Sequence, residues 1–195
     1  MNLDHLEIFD PDNAETSVYD EFPNNFVYLP DHLTKKIIKY TDDRWKEILK
    51  EFPNSFISGS HCLASLDDFA WKPSDVDIFM PYEEFNECRK KYFTEEKVSE
   101  DVYGVRKFKY IEINPPDKFG VKVHLIECPT KIHVSKFDFT ICILGVCFNT
   151  NYWEGFCHPD FVSHYKKRKL VRVNKDSSII SSFFRKRKYK KRNFS

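Results

Sequence analysis

Between Pro73 and Pro81 the chain runs SDVDIFM, an apolar segment fenced by prolines that reads as a short buried strand. It nevertheless carries acid at alternate positions, Asp75 and Asp77. Residues i and i+2 of a strand project from one face, so both carboxylates point the same way while Val76 and Ile78 enter the opposite, apolar side. Two carboxylates a few ångströms apart repel, and burying them unpaired costs several kcal/mol. A divalent cation removes that conflict. Mg²⁺ takes a few carboxylates and completes its octahedron with water and phosphate oxygens.

A third acid would let two metal ions sit side by side, one on an attacking oxygen and one on a leaving group. Asp138, in KFDFTICILGV, opens an apolar run that gains nothing from a charge at its edge, and is the preferred third acid. Glu127, at the end of VHLIEC, is the competitor. Upstream, SFISG is a first core strand ending in Gly59, with Ser60 and His61 at the start of a helix or ordered loop. Glycine lets a phosphate approach the backbone closely, and the Ser60 and His61 amides would carry the partial positive charge of a helix start.

The remaining pattern is mixed. HLTKKIIKYTDDRWKEILKEF places Leu33, Ile37, Ile38, Trp45, Ile48 and Leu49 at three- and four-residue intervals, which predicts one amphipathic helix from Asp31 to Pro53. Tyr82 to Phe93 repeats the helical pattern. VRKFKYIEI and VKVHLIEC, separated by Pro115, Pro116 and Gly120, predict an antiparallel hairpin. FDFTICILGVCF predicts a long central strand, KLVRV a short one, and the end of the chain a basic helix capped by Asp176. The order predicts an α+β fold, a mixed sheet flanked by helices.

Composition sets the outer bounds. A length of 195 residues, 41% apolar, suits one compact domain. No apolar run approaches the roughly 20 residues of a membrane span, and the acidic start MNLDHLEIFDPDN is unlike a secretory signal, so a soluble cytoplasmic protein is expected, with the nucleus as the alternative its basic tail allows. The six cysteines lack CxxC pairing and are expected to be reduced and buried. The net charge of +1 hides an asymmetry: residues 1–30 hold seven acids and no Lys or Arg, while residues 166–195 hold thirteen Lys or Arg against Asp176 alone. The reading is an acidic arm over 1–30, a nucleotide-handling core over 31–150, and a small helical, basic region over 151–195 packed on that core. That basic end could attract a phosphate polymer.

Strand, Gly59-Ser60, then Asp75-Val76-Asp77 in an apolar strand, then an acid heading a later strand resembles the nucleotidyltransferase superfamily with the DNA-polymerase-β-like palm, over roughly residues 31–150. The tail, with Arg185, Lys188, Tyr189 and Arg192 in an R-x-x-K-Y-x-x-R pattern, resembles that of small stand-alone members from large DNA viruses and phages. The Lys-, Phe- and Asn-rich composition fits an AT-rich genome. The resemblance implies Mg²⁺ or Mn²⁺ held by Asp75, Asp77 and Asp138, and a nucleoside triphosphate such as ATP cradled by Gly59 and Ser60. It implies transfer of a nucleoside monophosphate to an acceptor hydroxyl on RNA, protein or a small molecule. Its rival is a nucleotidyltransferase-fold module without turnover that binds nucleic acid or protein. Polymerising relatives carry a further domain for base and primer, and little of this chain remains to build one.

Overall fold

The structure is a computed structural model and describes residues 26–103, 106–128, 134, 136–174 and 179–195. Most of the expected acidic arm, and the Asp176 cap, lie outside the described residues. Strand β1 (Val27–Tyr28) leads into helices α1 (Asp31–Tyr40) and α2 (Asp43–Glu51). These are two helices where the apolar spacing predicted one. The break has a local cause. The Thr41 hydroxyl donates back to the Ile37 carbonyl at 3.0 Å, and Asp42 caps α2 by accepting from the Arg44 amide at 3.0 Å. The other Asp42 oxygen accepts from the Lys118 amide at 3.0 Å. Asp42→Ala is therefore expected to cost about 1–2 kcal/mol in urea unfolding, with Asp42→Asn costing less than half as much.

Next come β2 (Phe56–Ser58), α3 (Ser60–Leu66), β3 (Asp75–Met80), α4 (Tyr82–Tyr92), β4 (Val98–Tyr103), β5 (Arg106–Ile113) and β6 (Lys122–Glu127). Strands β7 (Leu144–Asn149) and β8 (Tyr152–Cys157) and helices α5 (Phe161–Lys166) and α6 (Ile179–Lys190) complete the described elements. The eight strands form one sheet in the order β1-β8-β7-β2-β3-β6-β5-β4. The β3–β6 pair is parallel, and every other neighbouring pair is antiparallel. The β5–β6 pairing is the expected hairpin. Strand β4 (VSEDVY) lacks a clear alternation and was not foreseen, and neither was β8.

The run FDFTICILGVCF is not one strand. A 3₁₀ turn at Thr140–Cys142 interrupts it, so only its second half enters β7. Phe139 and Arg172 form an isolated bridge, which is all that remains of the strand expected in KLVRV.

Register assigns the two faces of the sheet. Ile57 pairs with Ile78 and Val146, Val76 with Val123, and Ile78 with Leu125. This face packs in the main core with Ile37, Trp45, Leu49, Leu63 and Phe85 from the first four helices. Each such fully buried aliphatic or aromatic side chain contributes roughly 1.5–3 kcal/mol. The opposite face carries Phe56, Phe79, Cys147 and Phe156 in a second, smaller cluster, with Phe56 stacked on Phe79 at 5.1 Å. On that same face, beyond Phe79, stand Asp77 and Asp75.

The basic tail is anchored, not splayed. Tyr189 and Phe194 are 5% and 1% exposed and belong to the main core. Arg168 grips Asp67 through two hydrogen bonds of 2.8 Å. All six cysteines are buried, with no disulfide among the described residues. Among the described residues, no helix is long and apolar enough to cross a membrane.

Candidate active site

The site begins where β2 ends. Gly59 has φ +82° and ψ −147°, a conformation essentially reserved for glycine. A Cβ placed there would lie 3.2 Å from Asp77 Oδ2. The turn therefore runs against the acid strand, and Ser58 pairs directly with Asp77 across β2 and β3. Ser60 opens α3, and its hydroxyl donates to Asp75 Oδ1 at 3.1 Å. The Ser74 hydroxyl donates to the same oxygen at 3.2 Å and accepts from Lys188 Nζ of α6. His61 is buried behind the turn at 1% exposure, which rules it out as a surface phosphate contact.

The third member comes from β6. In the parallel register Asp77 lies opposite His124, whose Nδ1 is 3.4 Å from Asp77 Oδ1. Its Nε2 lies 3.7 Å from a Glu112 oxygen. One ligand atom each from Asp75, Asp77 and His124 gather within 4.8 Å, the one such group of His, Cys, Asp or Glu among the described residues. Burial and the neighbouring charge of Asp75 push the Asp77 carboxyl up to about 6. Asp77 in turn raises His124, whereas burial lowers Lys188 against the pull of Asp75 and Asp77. Crowded, desolvated acids beside an imidazole could hold a divalent cation. Oxygen ligands suit Mg²⁺ and Mn²⁺ alike, and the nitrogen favours Mn²⁺.

Gly59, Ser60, Asp75 and Asp77 thus converge as the sequence suggested. Asp138 is placed differently. It is fully buried, and its carboxylate accepts from Arg185 and from the Ser182 hydroxyl at 2.8 Å, both on α6. It stands ahead of the 3₁₀ turn and not in a sheet strand. Arg185, its ion-pair partner, lines the same cavity of about 290 Å³ as Asp75, Asp77 and His124. Glu127 shares the apolar face with Val123 and Leu125, because it pairs with Met80. The strand parity keeps it away from the acid pair.

Comparison with solved structures identifies the fold. The Thermotoga maritima CCA-adding enzyme complexed with tRNA aligns with a TM-score of 0.52 at 12% identity, covering 78% of this chain and 37% of that one. A CCA-adding enzyme complexed with CTP aligns with a TM-score of 0.52 at 13% identity, over 77% of this chain and 36% of that one. This chain thus spans a little over a third of their length. The fold is that of the nucleotidyltransferases, a mixed α+β sheet with the acid pair on its open face. No curated protein matches the chain. Residues 26–168 match the Gabija anti-defense 2 family, and the chain belongs to that family.

Proposed function

We propose that this protein moves a nucleoside monophosphate from a nucleoside triphosphate to an acceptor hydroxyl. The carrying observation is the convergence of Asp75, Asp77 and His124 beside the Gly59 turn. The acceptor oxygen forms a bond to the α-phosphorus, the bond from that phosphorus to the β-phosphate oxygen breaks, and pyrophosphate leaves with the electron pair. The acceptor's proton passes to solvent water, because a His124 ring that holds the metal has no free lone pair to take it.

Asp75, Asp77 and His124 would hold Mg²⁺ or Mn²⁺, which supplies charge neutralisation for the phosphates. Ser60 and Ser74 orient Asp75 through their hydroxyls. Gly59, Ser60 and the neighbouring Lys188 form the donor-rich side of the site, which suits the triphosphate. Asp138, whose charge is engaged by Arg185 and Ser182, is assigned to holding Arg185 at the cavity instead of to the metal. Membership in an anti-defense family fits a small protein of viral or phage origin acting in the host cytoplasm. There, modification of a nucleic acid, a protein or a small molecule would be the outcome.

One observation favours a second reading. An imidazole stands where the resemblance implied a third acid, which fits a module that keeps the fold for binding and has no turnover. The two separate in one experiment. The purified protein is incubated with each α-labelled nucleoside triphosphate, Mg²⁺ or Mn²⁺, and RNA, protein or small-molecule acceptors. The transferase reading expects label on an acceptor from α-labelled but not γ-labelled nucleotide, and none after chelation. Nucleotide and metal binding with no labelled acceptor would leave the module.

A further inference from the structure

The two sides of the acid pair differ in chemistry, and the difference separates the substrates. On the β2 side lie the Gly59 turn, two hydroxyls and Lys188. On the β6 side, rings from β3, from β5 and from the segment ahead of Asp138 make an aromatic wall. Phe79, Phe108, Tyr110 and Phe137 line the cavity of about 290 Å³ that the metal-binding cluster opens into. Tyr110 stands edge-on to His124 with centroids 5.4 Å apart. The cavity's acid besides the pair is Asp101, and its cation, Arg185, is bound to Asp138. A triphosphate gains little from such a wall. A flat, uncharged ring gains a great deal.

The second observation comes from α6, which contributes Arg185 to this cavity. Ser182, Arg185, Tyr189 and Arg192 face inward at helical spacing. Ser182 and Tyr189 are buried, and Arg192 stacks on Trp71 at 3.6 Å. The outward stripe is Phe183, Phe184, Arg187, Lys190 and Lys191. Phe183 and Phe184 are each 62% exposed, and their rings stand 6.0 Å apart. Exposed rings followed by cations on one helix face are costly in water and suit a chain with both bases and phosphates. From Phe183 to Lys191 the stripe runs about 12 Å at the helical rise, on the helix whose inward face carries Arg185 into the cavity.

We infer that the acceptor is a single-stranded nucleic acid whose terminal nucleoside occupies the Phe79–Phe108–Tyr110–Phe137 cavity while the strand behind it runs along the outward face of α6. This rests on the transferase reading for the word acceptor, but the binding can be tested without it. A protein acceptor offering a tyrosine would explain the cavity and leave the cationic stripe without a role.

The experiment uses the full chain without nucleotide and follows fluorescence anisotropy of a 5′-labelled single-stranded RNA, and of the matching DNA, of roughly 10 nucleotides. Both Tyr110→Ala and Phe183→Ala are expected to weaken binding at least about five-fold, the loss of one stacked base. Tyr110→Phe, which keeps the ring, is expected to restore it. Phe183 is exposed, so its variant folds whatever happens at Tyr110. Lys188→Ala is expected to weaken nucleotide binding more than it weakens RNA binding. A circular RNA of the same sequence is expected to bind more weakly than the linear one, since it has no end to insert.

Equal affinity of the wild type, Tyr110→Ala and Phe183→Ala overturns the inference, as does the absence of measurable binding. So does label appearing on protein with unlabelled RNA failing to compete, an outcome that would leave the transferase reading standing. Ring-dependent binding of linear RNA with no transfer under any condition would keep the nucleic-acid site and remove the transferase reading.

Discussion

Asp77→Asn is expected to abolish nucleotidyl transfer, by on the order of a thousandfold or more, while making the protein harder to melt in chelating buffer. The two effects share one cause. Asp77 is one-fifth exposed (22% of its side chain) and shares a strand face with Asp75. Burial and that neighbour push its carboxyl up to about 6, so holding the charge at neutral pH is unfavourable. An amide of the same shape removes the repulsion and keeps the packing. The gain is on the order of 1–2 kcal/mol, a few degrees in melting temperature for a chain of this size. Added Mn²⁺ should then raise the melting temperature of the wild type, because it binds the folded state alone, and leave the variant where it was. Differential scanning fluorimetry with and without Mn²⁺ reads both. A variant that melts below the wild type in chelator, or that still gains from Mn²⁺, would mean that Asp77 is a structural acid and the cluster no metal site.

This opposition between stability and chemistry was legible in the sequence. Acids at alternate positions of VDIFM cannot be explained by packing, and the strand period assigns them a face without any tertiary information. Gly59 was equally legible, since a glycine closing an apolar run before a helix start marks a backbone that other residues avoid.

The third member of the cluster was within reach as well. In VKVHLIEC the apolar Val123 and Leu125 alternate with His124, so parity alone puts Glu127 on the buried face and His124 opposite. A search restricted to carboxylates passes over it. Asp138 was less accessible. The run FDFTICILGVCF is apolar throughout, and nothing local shows that Thr140 starts a 3₁₀ turn; that turn is set by contacts with the segment around Val171, whose carbonyl accepts from the Thr140 amide at 3.0 Å.

The same holds for α1 and α2, where amphipathic spacing continues unbroken through a cap that only the Thr41 and Asp42 side chains create. The tail illustrates the limit of charge counting. A run such as RKRKYKKR reads as a solvated face, yet Tyr189 and Phe194 bury themselves and swing Lys188 and Arg185 onto the acid site.

His61, next to the turn, gives the protein a pH dependence of its own. The ring is buried, its Nδ1 has no hydrogen-bond partner among the described residues, and Nε2 lies 3.5 Å from the Thr41 hydroxyl. Phe69 packs against it with centroids 5.6 Å apart. Burial, aided by the charge of Lys118, pushes the imidazole down from 6.5 to about 4. The folded state therefore holds His61 neutral where the unfolded chain would protonate it. Its contribution to stability is complete above 6.5 and is lost as the pH falls from there towards 4, since each proton gained by the unfolded chain pulls the equilibrium that way. The loss amounts to about 2 kcal/mol by pH 5. Asp77 works in the opposite sense, because a carboxyl held up at about 6 gains stability as it takes a proton, so the wild-type profile alone mixes the two. The difference between wild type and His61→Leu isolates the histidine. Urea unfolding of both at pH 7.5 and pH 5 is expected to show the wild type losing about 2 kcal/mol relative to the variant. Parallel losses in the two proteins would mean that the ring finds a proton acceptor in the folded state and is not held neutral by its surroundings.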